Sequence, residues 1–337
     1  MKLEKTPLVS IIMTVYNVEN YLNKSINSIL NQSYKNFELL ICDDFSSDQS
    51  LSIINEYNDD RIKTFRNKEN LGYLKTCNYL FKICKGEYIT FQDSDDYSHK
   101  DRIRILVDEF KNNVDLKLCG SNFYRINQFE DNNIISKSDL PQNHHEIIKS
   151  INDKSTRFPI LGGSIMIKKD VLETVGFYRD FFDRIGHEHV DWILRIIEKY
   201  CVKNNTDNLY YYRYVPNSFS RIGKATDFKK FYASKITFFL RKQRLKHGED
   251  GLTNSKLKIL FDKFLKDLEI EFIKNKKNIY KGLILNRFYN LDIISANKIF
   301  VEALKKREFD FGLIFIFMIN LIKAIIKKTL NSIKNDF

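Results

Sequence analysis

The sequence predicts an α/β protein: a mostly parallel, mixed sheet flanked by helices, followed by an α-helical C-terminal extension. Three observations predict it. About the first hundred residues alternate β-branched runs of strand length with amphipathic stretches at helical spacing, the pattern of right-handed βαβ units. Several of those runs end in hydroxyls, an aromatic or carboxylates, at the strand tips where such sheets bind ligands. Beyond about residue 225 the strands give way to helical periods dense in Lys and Phe.

Residues 8–13 form the first strand, which Asn17 ends. Tyr21, Leu22, Ile26, Ile29 and Leu30 mark a helix over 19–30. Residues 37–42 are a second strand, closed by Asp43, Asp44 and a serine-rich turn. Leu51, Ile53, Ile54 and Tyr57 mark the second helix, and 61–65 a short third strand. Asn70, Leu71 and Gly72 turn the chain into a third helix over 73–84. The strand at 87–91 completes this series. A helix over 100–110 follows, with Ile103, Leu106, Val107 and Phe110 on one face, then a strand over 116–123. The polar segment 128–159 reads as loops with one short helix at 145–151. Residues 160–167 read as a strand whose Gly162 and Gly163 either let backbone approach a ligand closely or form an ordinary bulge. A short helix over 169–175 and a longer one from about 186 through Tyr200 complete the first part.

The 337 residues are 43% hydrophobic, enough for a sizeable core. The five cysteines are odd in number and scattered, with no C-x-x-C pair, which argues against a disulfide framework or structural zinc. The polar N-terminus has no secretory pattern, and the expectation is a cytoplasmic protein. A formal net charge of +12 calls for an anionic partner: nucleic acid, an anionic membrane face or a phosphorylated substrate. No nucleic-acid motif is present, so nucleic acid is not expected. No G-x-G-x-x-G or P-loop follows the first strand, which excludes the dehydrogenase version of the fold.

Asp93, Asp95 and Asp96 place three carboxylates within four residues at a strand end, and such crowding asks for a cation. Oxygen ligands there suit Mg²⁺ or Mn²⁺ with sites left for phosphate. The alternative is a solvated acidic turn before a helix. Tyr16 and Asp44 suit a pyrimidine, the ring stacking and its N3–H donating to the carboxylate. The alternative for Asp43 and Asp44 is a helix cap with Ser46 and Ser47.

The strings V-S-I-I-M-T-V-Y-N at 9–17, I-C-D-D-F-S-S-D at 41–48, E-N-L-G at 69–72 and G-E-Y-I-T-F-Q-D-S-D-D at 86–96 together resemble the family-two nucleotide-sugar glycosyltransferases of GT-A fold. The resemblance holds in register over roughly the first 110 residues and more weakly to about residue 221. It implies an inverting hexosyl- or N-acetylhexosaminyl-transferase using a nucleotide diphosphate sugar, often UDP-linked. The implied acceptor is a glycan or lipid-linked saccharide of a bacterial capsule, O-antigen or lipooligosaccharide. It implies nucleotide contacts at Thr14, Tyr16, Asn17, Asp44, Asn70, Asp93 and Ser94, and a metal, Mn²⁺ or Mg²⁺, at Asp95 and Asp93. Thr14 stands where Pro is usual, and Phe45 replaces the Gly of D-D-G-S.

Residues 186–195 resemble the family string E-D-x-D-L-x-L-R, with Glu188, Asp191 and Arg195 in register. His189 falls where the base Asp usually stands. Loss of a proton from the attacking hydroxyl requires a base, and His189, Glu188 or Asp191 are the candidates. A third reading makes a histidine here a metal ligand. Residues 212–220 resemble Y-R-x-H-P-x-S-x-S with Val215 in place of the His that is often a metal ligand; one reading relocates that imidazole to His187 or His189, and the alternative makes both partly exposed helix-start residues with Glu188 or Asp191 catalytic. Trp192, the only Trp of the chain, is amphipathic and able to stack on a sugar ring.

The expected domains are 1–222, with 1–110 the nucleotide-binding half and 111–222 the acceptor and catalytic half, and a helical region 223–337. Within the latter, Leu257, Leu260, Phe261, Phe264, Leu265 and Leu268 trace one face. The apolar run 311–319, followed by Lys323, Lys327 and Lys328, is short of the roughly 20 residues of a membrane span. It reads as a basic amphipathic helix making peripheral contact with the inner face of the membrane, or else as a core or dimer helix. Two other functions stay open: a nucleotidyltransferase, which would want a glycine- and lysine-bearing phosphate loop, and a non-catalytic sugar-binding or scaffolding relative. The sugar, the linkage and the oligomeric state are not legible in these motifs.

Overall fold

The computed structural model of the chain describes residues 6–127, 134–153, 158–215, 226–289 and 292–335. It forms two compact units, Met1–Tyr214 and Val215–Phe337. The expected boundary at 222/223 lies outside the described residues.

The first unit begins with β1 (Val9–Val15), α1 (Glu19–Leu30), β2 (Phe37–Asp43), α2 (Ser50–Asn55) and β3 (Ile62–Arg66). It continues through α3 (Tyr73–Ile83), β4 (Tyr88–Phe91), β5 (Tyr97–Ser98), α4 (Arg102–Asn112) and β6 (Leu116–Ile126). Next come β7 (Ile134–Lys137), α5 (His144–Asn152), β8 (Met166–Lys168), α6 (Val171–Val175), α7 (Glu188–Ile197) and β9 (Cys201–Arg213). The strands lie in one mixed sheet in the order β3-β2-β1-β4-β8-β6-β9-β5, with β7 beside β6. β3, β2, β1 and β4 run parallel, β8 runs antiparallel to both its neighbours, and β9 runs parallel to β6.

β1 is apolar on both faces because helices cover both. Val9, Ile11, Met13 and Val15 share a core with Leu22, Ile26 and Ile29 of α1 and Ile103, Leu106, Val107 and Phe110 of α4. Each fully buried side chain of this size contributes roughly 1.5–3 kcal/mol. α3 also packs against β1. Its Phe81 stands edge-on to Phe91, with ring centroids 5.7 Å apart. Gly86 lets β4 begin close to β1, since a Cβ there would lie 2.4 Å from the Ser10 amide nitrogen. Register sets Asp43 opposite Val15, and Phe91 opposite Ile12. The tips of β2, β1 and β4 therefore open at the same end of the sheet.

Several elements differ from expectation. α7 stops at Ile197, and β9 follows at once, a 13-residue strand where none was read. Its asparagines and charges hide the strand pattern, and its pairing with β6 shifts register three times. The strand expected over 160–167 is a 3-10 turn, Gly162–Ser164, followed by the short β8. β7 falls in a segment read as loop.

The second unit holds α8 (Phe228–Phe231), α9 (Ala233–His247), α10 (Ser255–Lys274), α11 (Lys276–Tyr289), α12 (Ile293–Lys305) and α13 (Phe311–Asn335). α11 is a helix the pattern did not reveal. Phe239 of α9 stacks on Phe264 of α10 at 4.0 Å. α10 buries Phe261, Leu268 and Phe272, and Leu260 turns outward instead of joining them. Tyr280, Ile284, Phe288, Ala296, Ala303, Leu313 and Phe317 tie α11, α12 and α13 together. Among the described residues no helix is long and apolar enough to cross a membrane. The side chains of Lys327 and Lys328 lie outside the described set.

Candidate active site

At the tip of β2, Asp43 accepts from the Ser46 amide and pairs with Arg66 Nε at 3.3 Å. The next residue, Asp44, is buried and hydrogen-bonded through both oxygens. Its Oδ1 accepts from Asn67 Nδ2 at 2.6 Å, the Leu71 amide at 2.9 Å and Thr76 Oγ1 at 3.2 Å. Its Oδ2 accepts from the Gly72 amide at 2.8 Å. Three of these donors share Oδ1, whereas Oδ2 accepts one and keeps a lone pair, so Asp44 both holds the 67–72 turn against the β2 tip and retains an acceptor site. Phe45 adopts φ +66°, a left-handed conformation suited to the Gly it replaces. Asn17, also left-handed at φ +52°, accepts at Oδ1 from the Ser47 amide at 2.8 Å. Tyr16 is half exposed beside it, and Thr14 lies half-buried opposite Cys42. Asn70 accepts from Arg184 Nη2 through both its carbonyl and Oδ1.

Beyond β4 the acidic turn is built into the sheet. The Asp93 amide donates to the Tyr210 hydroxyl of β9 at 3.1 Å, and its carbonyl accepts from Ser25 Oγ at 3.1 Å. Ser94 is buried next to it. The Arg213 amide donates to Asp96 Oδ1 at 2.7 Å, and Arg213 Nε donates to the Asp95 carbonyl at 2.8 Å. Burial, then the Asp95 charge and that of Glu188, push the Asp93 carboxyl up to about 7, against the pull of His189 and Arg102. Burial and the charges of Asp95 and Asp93 likewise push Asp96 upward. Arg102 is sealed below the turn, donating to the Phe91 carbonyl at 2.8 Å and the Gly163 carbonyl at 3.2 Å. Burial pulls its guanidinium down to about 10.

The Gly162–Ser164 turn joins this acidic turn to α7. A Cβ on Gly163 would lie 2.8 Å from Asp93 Oδ2, and one on Gly162 would lie 2.8 Å from His189 Cδ2. Only glycines allow both approaches. α7 starts with His187 at φ +69° as its N-cap, and the Glu188 carboxylate sits favourably in the first turn. His189 Nδ1 is 3.6 Å from Glu188 Oε1. Burial disfavours the charged imidazole, but the Glu188 and Asp93 carboxylates outweigh it, and the His189 pKa is raised. Carboxylates and an imidazole thus converge around one glycine turn at the strand ends.

Residues 10–176 match the family described as Glycosyl transferase family 2. An uncharacterized glycosyltransferase of Haemophilus influenzae is 32% identical over 245 residues, covering 72% of this chain and 90% of that protein. EpsE of Bacillus subtilis, which also carries a glycosyltransferase name, is 33% identical over 196 residues, 57% of this chain and 68% of its own length. The chain belongs to glycosyl transferase family 2. WfgD of Escherichia coli, named a UDP-Glc:alpha-D-GlcNAc-diphosphoundecaprenol beta-1,3-glucosyltransferase, is 38% identical over 136 residues, 40% of this chain and 52% of that one. The fold is similar to that of Staphylococcus aureus TarS 1-349 in complex with UDP-GlcNAc, with TM-score 0.52 at 18% identity over 88% of this chain and 91% of that one.

In this family 2 glycosyltransferase some expected site residues lie elsewhere. Asp191 is fully buried, its oxygens gripped by Arg179 and by Arg195 Nε at 3.1 Å. It pins α7 to the preceding turn, and the expectation that it is catalytic is corrected. Trp192 cannot stack on a sugar: it is buried against Phe81 and Phe91, its Nε1 donating to the Gly176 carbonyl at 2.7 Å. Among the described residues no three His, Cys, Asp or Glu side chains form a group able to hold a metal. His187 therefore does not complete a three-ligand site with Asp93 and Asp95. A lone carboxylate pair still fits Mg²⁺ or Mn²⁺, which take one or two carboxylates and draw further ligands from substrate phosphates. Burial and the nearby Asp95 charge, which raise the Asp93 carboxyl, are the observation that favours this fit.

Arg102 and Tyr210 are site-building residues that pattern reading passed over. One signal for Arg102 was present: a charge in helical register with Leu106 and Phe110 on an apolar face. A surface depression lined by Glu109, Asn143, His144, Lys203 and Asn205 shares no residue with this site.

Proposed function

We propose that this glycosyltransferase moves a hexosyl or N-acetylhexosaminyl group from a UDP-linked sugar onto a hydroxyl of a growing cell-surface glycan, with inversion, and that His189 is the base. The observation that carries this reading is the convergence of Asp93, Glu188 and His189 around the Gly162–Gly163 turn. Glu188 lies on the Nδ1 side of the imidazole, which leaves Nε2 to accept the hydroxyl proton. The acceptor oxygen then forms its bond to the anomeric carbon from the face opposite the diphosphate, and the carbon–oxygen bond to phosphate breaks. Asp95 and Asp93 would hold a divalent ion, Mg²⁺ or Mn²⁺, which when bound neutralises charge on the leaving diphosphate. Tyr16, half exposed at the β1 tip, offers a face for the base. WfgD, with its UDP-glucose donor and lipid diphosphate-linked acceptor, supports a UDP donor and a lipid-linked saccharide here.

The test is release of UDP from a panel of UDP-sugars, with Mn²⁺ or with chelator, by the wild type and His189→Ala. Metal-dependent release with at least one sugar is expected, lowered about 10²- to 10⁴-fold in the variant. Unchanged turnover in His189→Ala would remove the imidazole from the mechanism.

A further inference from the structure

We propose that the outer face of α13 docks the C-terminal unit onto an anionic lipid surface. Leu313 and Phe317 of this helix are buried in the core shared with α11 and α12. On the other side Phe311 is 92% exposed, Phe315 66%, Met318 50% and Ile322 54%. Their spacing of four, three and four residues puts them on one narrow stripe. A helix packed on one side and facing only water on the other carries polar residues there; this one carries two phenylalanines, a methionine and an isoleucine. Exposed Lys323 follows the stripe directly. α12 repeats the theme, with exposed Ile294, Lys298, Val301 and Lys305 recurring in one helical row.

Charge selects the occupant. Residues 215–337 hold 26 Lys and Arg against 12 Asp and Glu, a net +14. Residues 1–214 hold 29 against 31, a net −2. All of the chain's excess positive charge therefore belongs to the helical unit that displays the apolar stripe. A second copy docked through this face would bring two strongly cationic units together, whereas an anionic bilayer offers both an apolar layer and negative headgroups. The stripe from Phe311 to Ile322 is only about 18 Å long at 1.5 Å per residue, against a hydrocarbon core of about 30 Å. The helix therefore lies in the interface, aromatic side chains among the upper acyl carbons and lysines at the phosphates. This inference stands independently of the proposed donor and base.

The test is co-sedimentation of the full chain with vesicles of equimolar phosphatidylglycerol and phosphatidylcholine, or of phosphatidylcholine alone, at low and high salt. The variant carries Phe311→Ser, Phe315→Ser, Met318→Ser and Ile322→Ser together, with circular dichroism and light scattering run alongside. Wild-type binding to the anionic vesicles is expected, weakened by salt, and lowered at least about tenfold in a variant that keeps its helicity. If the variant loses helicity, Phe311→Ser alone, at the most exposed position, is measured and should still weaken binding. Absence of wild-type binding, equal binding by a folded variant, or a wild-type dimer that the variant converts to monomer would overturn the proposal.

Discussion

The imidazole of His189 rests against the backbone of Gly162, so close that a Cβ there would lie 2.8 Å from Cδ2 and 3.1 Å from Cγ. The glycine is what allows the ring to occupy its place. Gly162→Ala should therefore displace the ring and lower turnover about 100-fold, the cost of misplacing a reacting group by about an ångström. The imidazole is 39% exposed and has room to yield, so the melting temperature should move little. Full activity in Gly162→Ala, measured as UDP release, would contradict the placement of His189.

Asp93 makes stability depend on pH. Its folded pKa of about 7 lies above the unfolded value near 3.9, so the fold favours the protonated carboxyl. That stabilisation is fully present below about pH 4 and is lost as pH rises through about 7. The wild-type melting temperature should fall between pH 5 and 8 more steeply than that of Asp93→Asn. Adding Mn²⁺ with UDP should restore more stability at about pH 8 than at pH 5, because the ionised pair binds a cation better. Parallel melting curves for the two proteins would contradict this reading.

Asp191 is expected to matter for folding rather than turnover. Removing it leaves Arg179 and Arg195 without the carboxylate they share, inside the protein. Breaking a buried ion pair in this way costs about 3–5 kcal/mol. The urea midpoint of Asp191→Ala should drop accordingly, while the folded fraction keeps the wild-type pH dependence of turnover. An unchanged midpoint with abolished turnover would return Asp191 to the reacting centre.

The parallel half of the fold was legible because its strands and helices are local. Val9 to Val15 is a mostly apolar run of strand length, and Glu19 to Leu30 carries a helical period. β9 was not, since Asn204, Asn205, Asp207 and Asn208 dilute its alternation and pairing with β6 and β5 holds it extended. The acidic turn and the Glu188–His189 pair were visible as strings, but not their meeting, which depends on the Gly162–Gly163 turn and on Tyr210 and Arg102 beneath it. Asp44 shows the opposite limit. Its four donors come from Asn67, Leu71, Gly72 and Thr76, more than twenty positions along the chain, and no spacing rule reveals that they converge on it.

The most direct test of the Glu188–His189 base is the pH dependence of turnover in Glu188→Gln. The carboxylate raises the imidazole pKa, and the base works only when deprotonated. Without that charge the acid limb of the rate profile, measured at saturating Mn²⁺ and donor so that Asp93 stays ionised, should move to lower pH, and under the same conditions His189→Ala should show no such limb. An acid limb that stays in place in Glu188→Gln, or survives in His189→Ala at saturating Mn²⁺ and donor, would contradict the account.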